Sequence, residues 1–151
     1  MAHPRWTRGL LSDADFEAVA EAIRQAEQST SGEIRVHLEQ RLPRGVTDAL
    51  PRAREVFTRL GMHRTAERHG VLIYVAVDDR KLAVVGDEGI HARTGDDHWA
   101  FVRDLMVERL RANAARDAIV AAVTAVGREL ARHFPRRPDD KNELTDKVSV
   151  E

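Results

Sequence analysis

At 151 residues, 42% apolar and 32% charged, the chain has the size and composition of one globular domain rather than of a disordered polypeptide. Its 24 basic and 25 acidic residues leave a formal charge of −1, so no overall field holds it to nucleic acid or to an anionic membrane. With no cysteine it has no disulfides, thiolate zinc sites or thiol nucleophiles, a composition that suits a reducing, cytoplasmic setting.

The opening residues, Met1 to Trp6, are not followed by the apolar run of a signal peptide. The longest apolar stretch, Val71 to Val77, has about a third of the length that spans a bilayer as a helix. The expectation is a chain neither exported nor anchored. The first predicted element is a helix. Ser12 is placed to cap it, Asp15 completes a capping-box pattern, and Leu11 can staple onto Phe16. Phe16, Val19, Ala20 and Ile23 recur at helical spacing until the breaker cluster Ser29-Thr30-Ser31-Gly32.

Glu33 to Glu39 alternates strictly. Ile34, Val36 and Leu38 share one face, while Glu33, Arg35, His37 and Glu39 share the other, which predicts a strand buried on one side and near a sheet edge. Asp48 then caps a second helix with Ala53, Val56, Phe57 and Leu60 as its apolar stripe, and Gly61 is placed to end it. Val71 to Val77 is apolar on both faces and reads as a central strand. Asp78-Asp79-Arg80 turns the chain, and Lys81 to Val85 returns antiparallel. The strand–helix–strand order makes the first two strands parallel, so the sheet is mixed. Gly86 to Gly89 breaks the third strand, and Ile90 to Thr94 reads as a short extension or loop. Asp96 or Asp97 caps a third helix bearing Trp99, Val102, Leu105, Met106 and Leu110. Asn113 separates it from a fourth, with Ile119, Val123, Val126 and Leu130 inward and Phe134-Pro135 ending it.

Five segments together resemble the TPM-domain family. They are Thr30 to His37, Phe57 to Met62, Gly70 to Ala76 with Asp79-Arg80-Lys81 after it, Gly86 to Ile90 with Trp99 beyond, and Asn142 to Asp146. In order and spacing they span roughly residues 12 to 146, most like the short bacterial members that carry the domain alone. His69 stands where the family commonly has Asn, and Thr145 where it commonly has Pro. The resemblance implies a three-layer α/β/α fold, similar to Rossmann-type domains, with a small mixed sheet of about four strands flanked by helices. It divides the chain into an extension (1–11), the TPM-like domain (12–135) and a C-terminal strap or tail (136–151). It also implies divalent-cation binding, calcium especially, and a phosphatase activity has been attributed to a plant relative.

A calcium site takes six to eight oxygens, and magnesium fewer in stricter octahedral geometry. The predicted topology puts Glu33, Gly70 and Asp87 at one end of the sheet, with Asp96 and Asp97 close behind in sequence. Glu33, Asp87, Asp96 and Asp97 therefore form the candidate hard-cation site, on a backbone loosened by Gly32, Gly70, Gly86 and Gly89. The same residues also fit helix capping and turn chemistry. Asp78 and Asp79 make a second candidate acidic site at the opposite end, roughly 20 Å away, although a hairpin turn explains them as well.

The histidines at 3, 37, 63, 69, 91, 98 and 133 form no zinc motif, and His37 and His98 read as solvated. No nucleophile elbow, phosphate loop or dinucleotide fingerprint is present, which argues against an organic cofactor. The arginine-rich stretches interleave with acids and read as solvated helix faces. Three functions fit: a calcium- or magnesium-binding domain, a metal-dependent phosphatase acting on phosphomonoesters, and a protein-interaction module with a structural ion.

Overall fold

The computed structural model describes residues 5–7, 10–112, 114–138 and 148–151. Helix α1 (Asp13–Glu27) begins at a reciprocal capping box. The Ser12 hydroxyl accepts from the Asp15 N–H at 3.1 Å, and the Asp15 carboxylate accepts from the Ser12 N–H at 3.0 Å. Strand β1 (Glu33–Glu39) follows, then helix α2 (Ala49–Arg59), capped by Asp48, whose carboxylate accepts from the Leu50 N–H. Gly61 ends that helix at φ +71°, in the left-handed region that glycine adopts without strain.

Strand β2 (Gly70–Ala76) pairs parallel with β1 in a register running from Glu33 opposite Gly70 to Glu39 opposite Ala76. Strand β3 (Lys81–Gly86) returns antiparallel to β2, with Gly86 opposite Val71. Helices α3 (Glu88–Thr94), α4 (Asp96–Arg111) and α5 (Ala115–His133) come next, and strand β4 (Ser149–Val150) pairs parallel with β1 beside His37 and Leu38. The sheet order is β3-β2-β1-β4.

Side-chain alternation sends Ile34, Val36, Leu38, Val71, Ile73 and Val75 into one core with Val19, Ile23, Val102, Met106, Ile119 and Val123 of α1, α4 and α5. The opposite face, through Leu72, Tyr74 and Ala76, packs on Ala53, Val56 and Phe57 of α2 and on Met62. The architecture is therefore a mixed sheet between two helical layers, as expected.

Four local expectations change. Strand β1 is buried on both faces and lies inside the sheet order, because α2 covers its charged face and β4 closes its side. Glu39 is paired by Arg52, and His37 by Ser149 and Glu151 of the C-terminal segment. Ile90 to Thr94 belongs to helix α3, whose cap is Asp87. The cap of α4 is Gly95, without a side-chain hydrogen bond, and Asp96 and Asp97 form its first turn. His37 is 2% exposed and the His98 side chain 13%, so neither is solvated. The expected break at Asn113 and the resemblance segment Asn142 to Asp146 lie outside the described residues.

Candidate functional site

One end of the sheet gathers Glu33, Gly70 and Asp87, as the strand directions require. Glu33 stands opposite Gly70, whose carbonyl accepts from the Asp87 N–H at 2.9 Å. Gly70 has no side chain because the loop after α2 passes directly over it: a Cβ there would stand 2.9 Å from the Met62 carbonyl oxygen. Glu33 is buried on the same sheet face as His37 and Glu39.

Asp87 closes this end. One carboxylate oxygen, Oδ1, accepts from the Glu88 N–H at 2.8 Å and so caps α3. The other, Oδ2, is buried without a hydrogen-bond partner and lies 3.2 Å from Arg68 Nε. The residue is only 5% exposed, so this oxygen faces the Arg68 guanidinium in an ion pair that is not an aligned hydrogen bond. Gly89, two residues on, is pressed against the preceding loop: its Cβ would stand 2.2 Å from the Glu67 carbonyl oxygen and 2.6 Å from that of Arg68. Arg68 itself is left-handed, at φ +54°. A cavity of about 260 Å³ opens beside Asp87, walled by Arg54, Thr58, His63, Arg68 and His91, with Glu88 at its side.

Asp96 and Asp97 do not line this cavity. The Asp96 side chain is 96% exposed, 3.6 Å from His91 Nε2, and Asp97 is exposed beside it. Both suit the positive end of the α4 dipole. Asp78 and Asp79 tie the hairpin turn to the loop after β1. Asp78 Oδ2 accepts from Gln40 Nε2 at 3.1 Å, and Asp79 Oδ2 from the Leu42 N–H at 2.6 Å.

The model of the TPM domain matches residues 6–129. The chain belongs to the TPM-domain family. The BA42 protein of the psychrophilic bacterium Bizionia argentinensis is 38% identical to it, with a TM-score of 0.85 over 93% of this chain and 95% of that one. The N-terminal domain of a P. gingivalis protein (20% identity, TM-score 0.65, 85% of this chain and 83% of that one) shares the fold. So does the N-terminal domain of the cg2496 protein of Corynebacterium glutamicum (14% identity, TM-score 0.62, 86% of this chain and 85% of that one). No curated protein matches the chain.

Among the described residues of this TPM domain, three metal-type ligands converge only at His37, Glu39 and Glu151, toward the other end of β1. Cations of the protein already occupy that group. Arg52 grips Glu39 with two hydrogen bonds, of 3.0 and 2.7 Å, and Tyr74 donates to the same carboxylate at 2.7 Å. Arg59 pairs with Glu151. Two carboxylates are thus matched by two guanidiniums, and a divalent ion would enter an already neutral cluster. The alternation of β1 displayed Glu39, but its partner Arg52 reads from sequence as part of a solvated arginine-rich stretch, and Arg59, which pairs with Glu151, lies seven residues further along α2. Two helical turns put both on the same side of the helix.

His37 joins this network to β4. Its Nε2 lies 3.2 Å from the Glu151 carboxylate and its Nδ1 2.7 Å from the Ser149 hydroxyl. A neutral ring satisfies both, donating from Nε2 and accepting at Nδ1. Burial lowers the His37 pKa against the opposing pull of Glu151 and Glu39. The Arg59 hydrogen bond brings Glu151 down to about 2.

Both shifts stabilise the docked strand at neutral pH. His37 is held in its neutral form, so its contribution is full above an ordinary imidazole pKa of about 6.5 and is lost as pH falls through its lowered value. The Glu151 contribution is full above the ordinary 4.5 and is lost as pH falls toward about 2. The Glu151 N–H donates to the Leu38 carbonyl and the Gln40 N–H to that of Glu151. Hydrogen-exchange protection of these two amides, corrected for intrinsic rates, is expected to fall on acidification before that of β2. Loss of protection in both strands at one pH would contradict this.

Proposed function

We propose that this TPM domain binds a divalent cation, calcium by preference, at the sheet end built around Asp87. The observation that carries this reading is the Asp87 Oδ2 atom, a buried carboxylate oxygen without a hydrogen-bond partner on a residue that walls a cavity. Arg68 Nε, at 3.2 Å, balances the charge of this oxygen without an aligned hydrogen bond, and a metal ion would satisfy the lone pairs that remain. Asp87 is the central ligand in this reading, with Glu88 next to it on the cavity wall; Glu33, across Gly70, does not line the cavity and is left out of the ligand set. Water would supply the remaining neutral oxygens, a hard and irregular set of the kind calcium accepts more readily than magnesium. Asp96 and Asp97, exposed on α4, are left out of the ligand set. The bound ion would tie together the loop after α2, the end of β3 and the start of α3.

Binding to the folded state alone raises the melting temperature with ion concentration. At a hundredfold excess over Kd the gain is about 2.7 kcal/mol, which for a chain of this length is an upward shift of about 5 °C or more. The shift is expected between EDTA and millimolar calcium in the natural chain, and its loss in Asp87→Asn. A midpoint indifferent to calcium would overturn the reading.

Arg54 favours a second reading. It lines the same cavity and makes no ion pair among the described residues. With Thr58, His63 and His91 it offers contacts for phosphoryl oxygens. Hydrolysis of a generic phosphomonoester that is lost in both Asp87→Asn and Arg54→Gln, with folding retained, would support a metal-dependent phosphatase.

A further inference from the structure

We infer that Arg68 is an intramolecular rival to the cation, its guanidinium standing at Asp87 in the ion-free protein and swinging out when the ion enters. The inference rests on the cation reading and concerns what sets affinity at that site. Arg68 Nε lies 3.2 Å from Asp87 Oδ2, and Nη2 lies 3.9 Å from the Glu88 carboxylate. The guanidinium therefore bridges the two adjacent acids that the reading assigns to the ion. A charge of +1 and a charge of +2 cannot share that space without strong repulsion.

The backbone of Arg68 is fixed while its side chain can leave. Its carbonyl accepts from the Gly89 N–H at 2.8 Å and from the Ile90 N–H at 3.3 Å, so the start of α3 is anchored on this residue. Its left-handed φ of +54° is a conformation that an arginine adopts at a cost, and it is kept where the chain needs this turn. The side chain is 45% exposed, so the guanidinium can move into water. Asp87 has no such freedom, because it is buried and caps α3. Nor is the contact an optimal hydrogen bond, since Asp87 Oδ2 remains without a hydrogen-bond partner. The pair neutralises the carboxylate while leaving its lone pairs open to a stronger ligand.

The test is a calorimetric titration with calcium chloride of the natural chain, Arg68→Gln and Arg68→Gly. The glycine variant also relieves the positive φ, so a role of the side chain appears in both variants and a role of the backbone in one. Both are expected to bind calcium at least about tenfold more tightly than the natural chain, from removal of one nearby positive charge. In the natural chain the Arg68 Nε–H resonance should move toward its solvent-exposed position as calcium is added. Equal or weaker affinity in both variants, with calcium still binding the natural chain, would overturn the inference and leave the cation reading standing. Absence of binding in all three proteins would overturn the cation reading itself. Binding by the two variants alone would support the rivalry in its strongest form.

Discussion

Arg52→Ala is expected to cost about 3–5 kcal/mol of stability, because it leaves a carboxylate stranded inside the α2 face of the sheet. The side chains of Arg52 and Glu39 are only 14% and 8% exposed, and the guanidinium meets both carboxylate oxygens. The hydrogen bonds to Glu39 raise the arginine pKa, and burial with the same carboxylate raises that of Tyr74. Removing the cation leaves Glu39 with the Tyr74 hydroxyl alone, and Glu151 loses one of its two guanidinium neighbours. Denaturant unfolding would measure the loss. Arg52→Met with Glu39→Leu should recover most of it, since apolar groups of similar volume often replace a buried ion pair without penalty. If the single variant lost less than about 1 kcal/mol, water would be reaching Glu39, and the pair would be a surface bridge in energetic terms.

The second large effect is expected at Gly89. Any side chain there meets two main-chain carbonyl oxygens, of Glu67 and Arg68, at 2.2 and 2.6 Å, and neither can be turned aside as a flexible side chain can. Gly89→Ala should therefore push α3 off the loop that carries Arg68, at about 2–3 kcal/mol, the upper range for overpacking a closed site. Calcium binding should weaken with it, since Asp87 is held by the same corner. Unfolding and titration of the one variant would read both effects. A variant as stable as the natural chain would show that the corner is slack, and the placement of Asp87 would lose its structural basis.

The architecture was legible because each element carries its own local signal. Ser12 and Asp15 spell a reciprocal cap three residues apart, and Val71 to Val77 is apolar on both faces because helices cover both sides of β2. The meeting of Glu33 and Asp87 at one sheet end followed from strand direction alone, a property that an uninterrupted strand–helix–strand unit fixes. What stayed hidden depends on contacts between residues distant in sequence. The charged face of β1 alternates as an exposed face does, and residues distant in sequence, Arg52, Tyr74, Ser149 and Glu151 among them, cover its His37 and Glu39. Seven residues of α3 are too short for helical periodicity to declare itself beside Gly86 and Gly89. Arg68 gave no sign, because a left-handed arginine is set by the carbonyl it must offer to α3. Asp96 and Asp97 look like any acidic pair opening a helix, and exposure alone separates them from Asp87. Among the described residues no helix is long and apolar enough to cross a membrane, in keeping with the short apolar runs of the sequence.

Everything functional turns on whether the lone oxygen of Asp87 takes a cation. A crystal structure of the chain grown in calcium would decide it. An ion 2.3–2.6 Å from Asp87 Oδ2, with the Arg68 guanidinium turned out to solvent, is the outcome that this geometry predicts. Calcium bound elsewhere, with the Asp87–Arg68 pair closed as it stands at 3.2 Å, would contradict it.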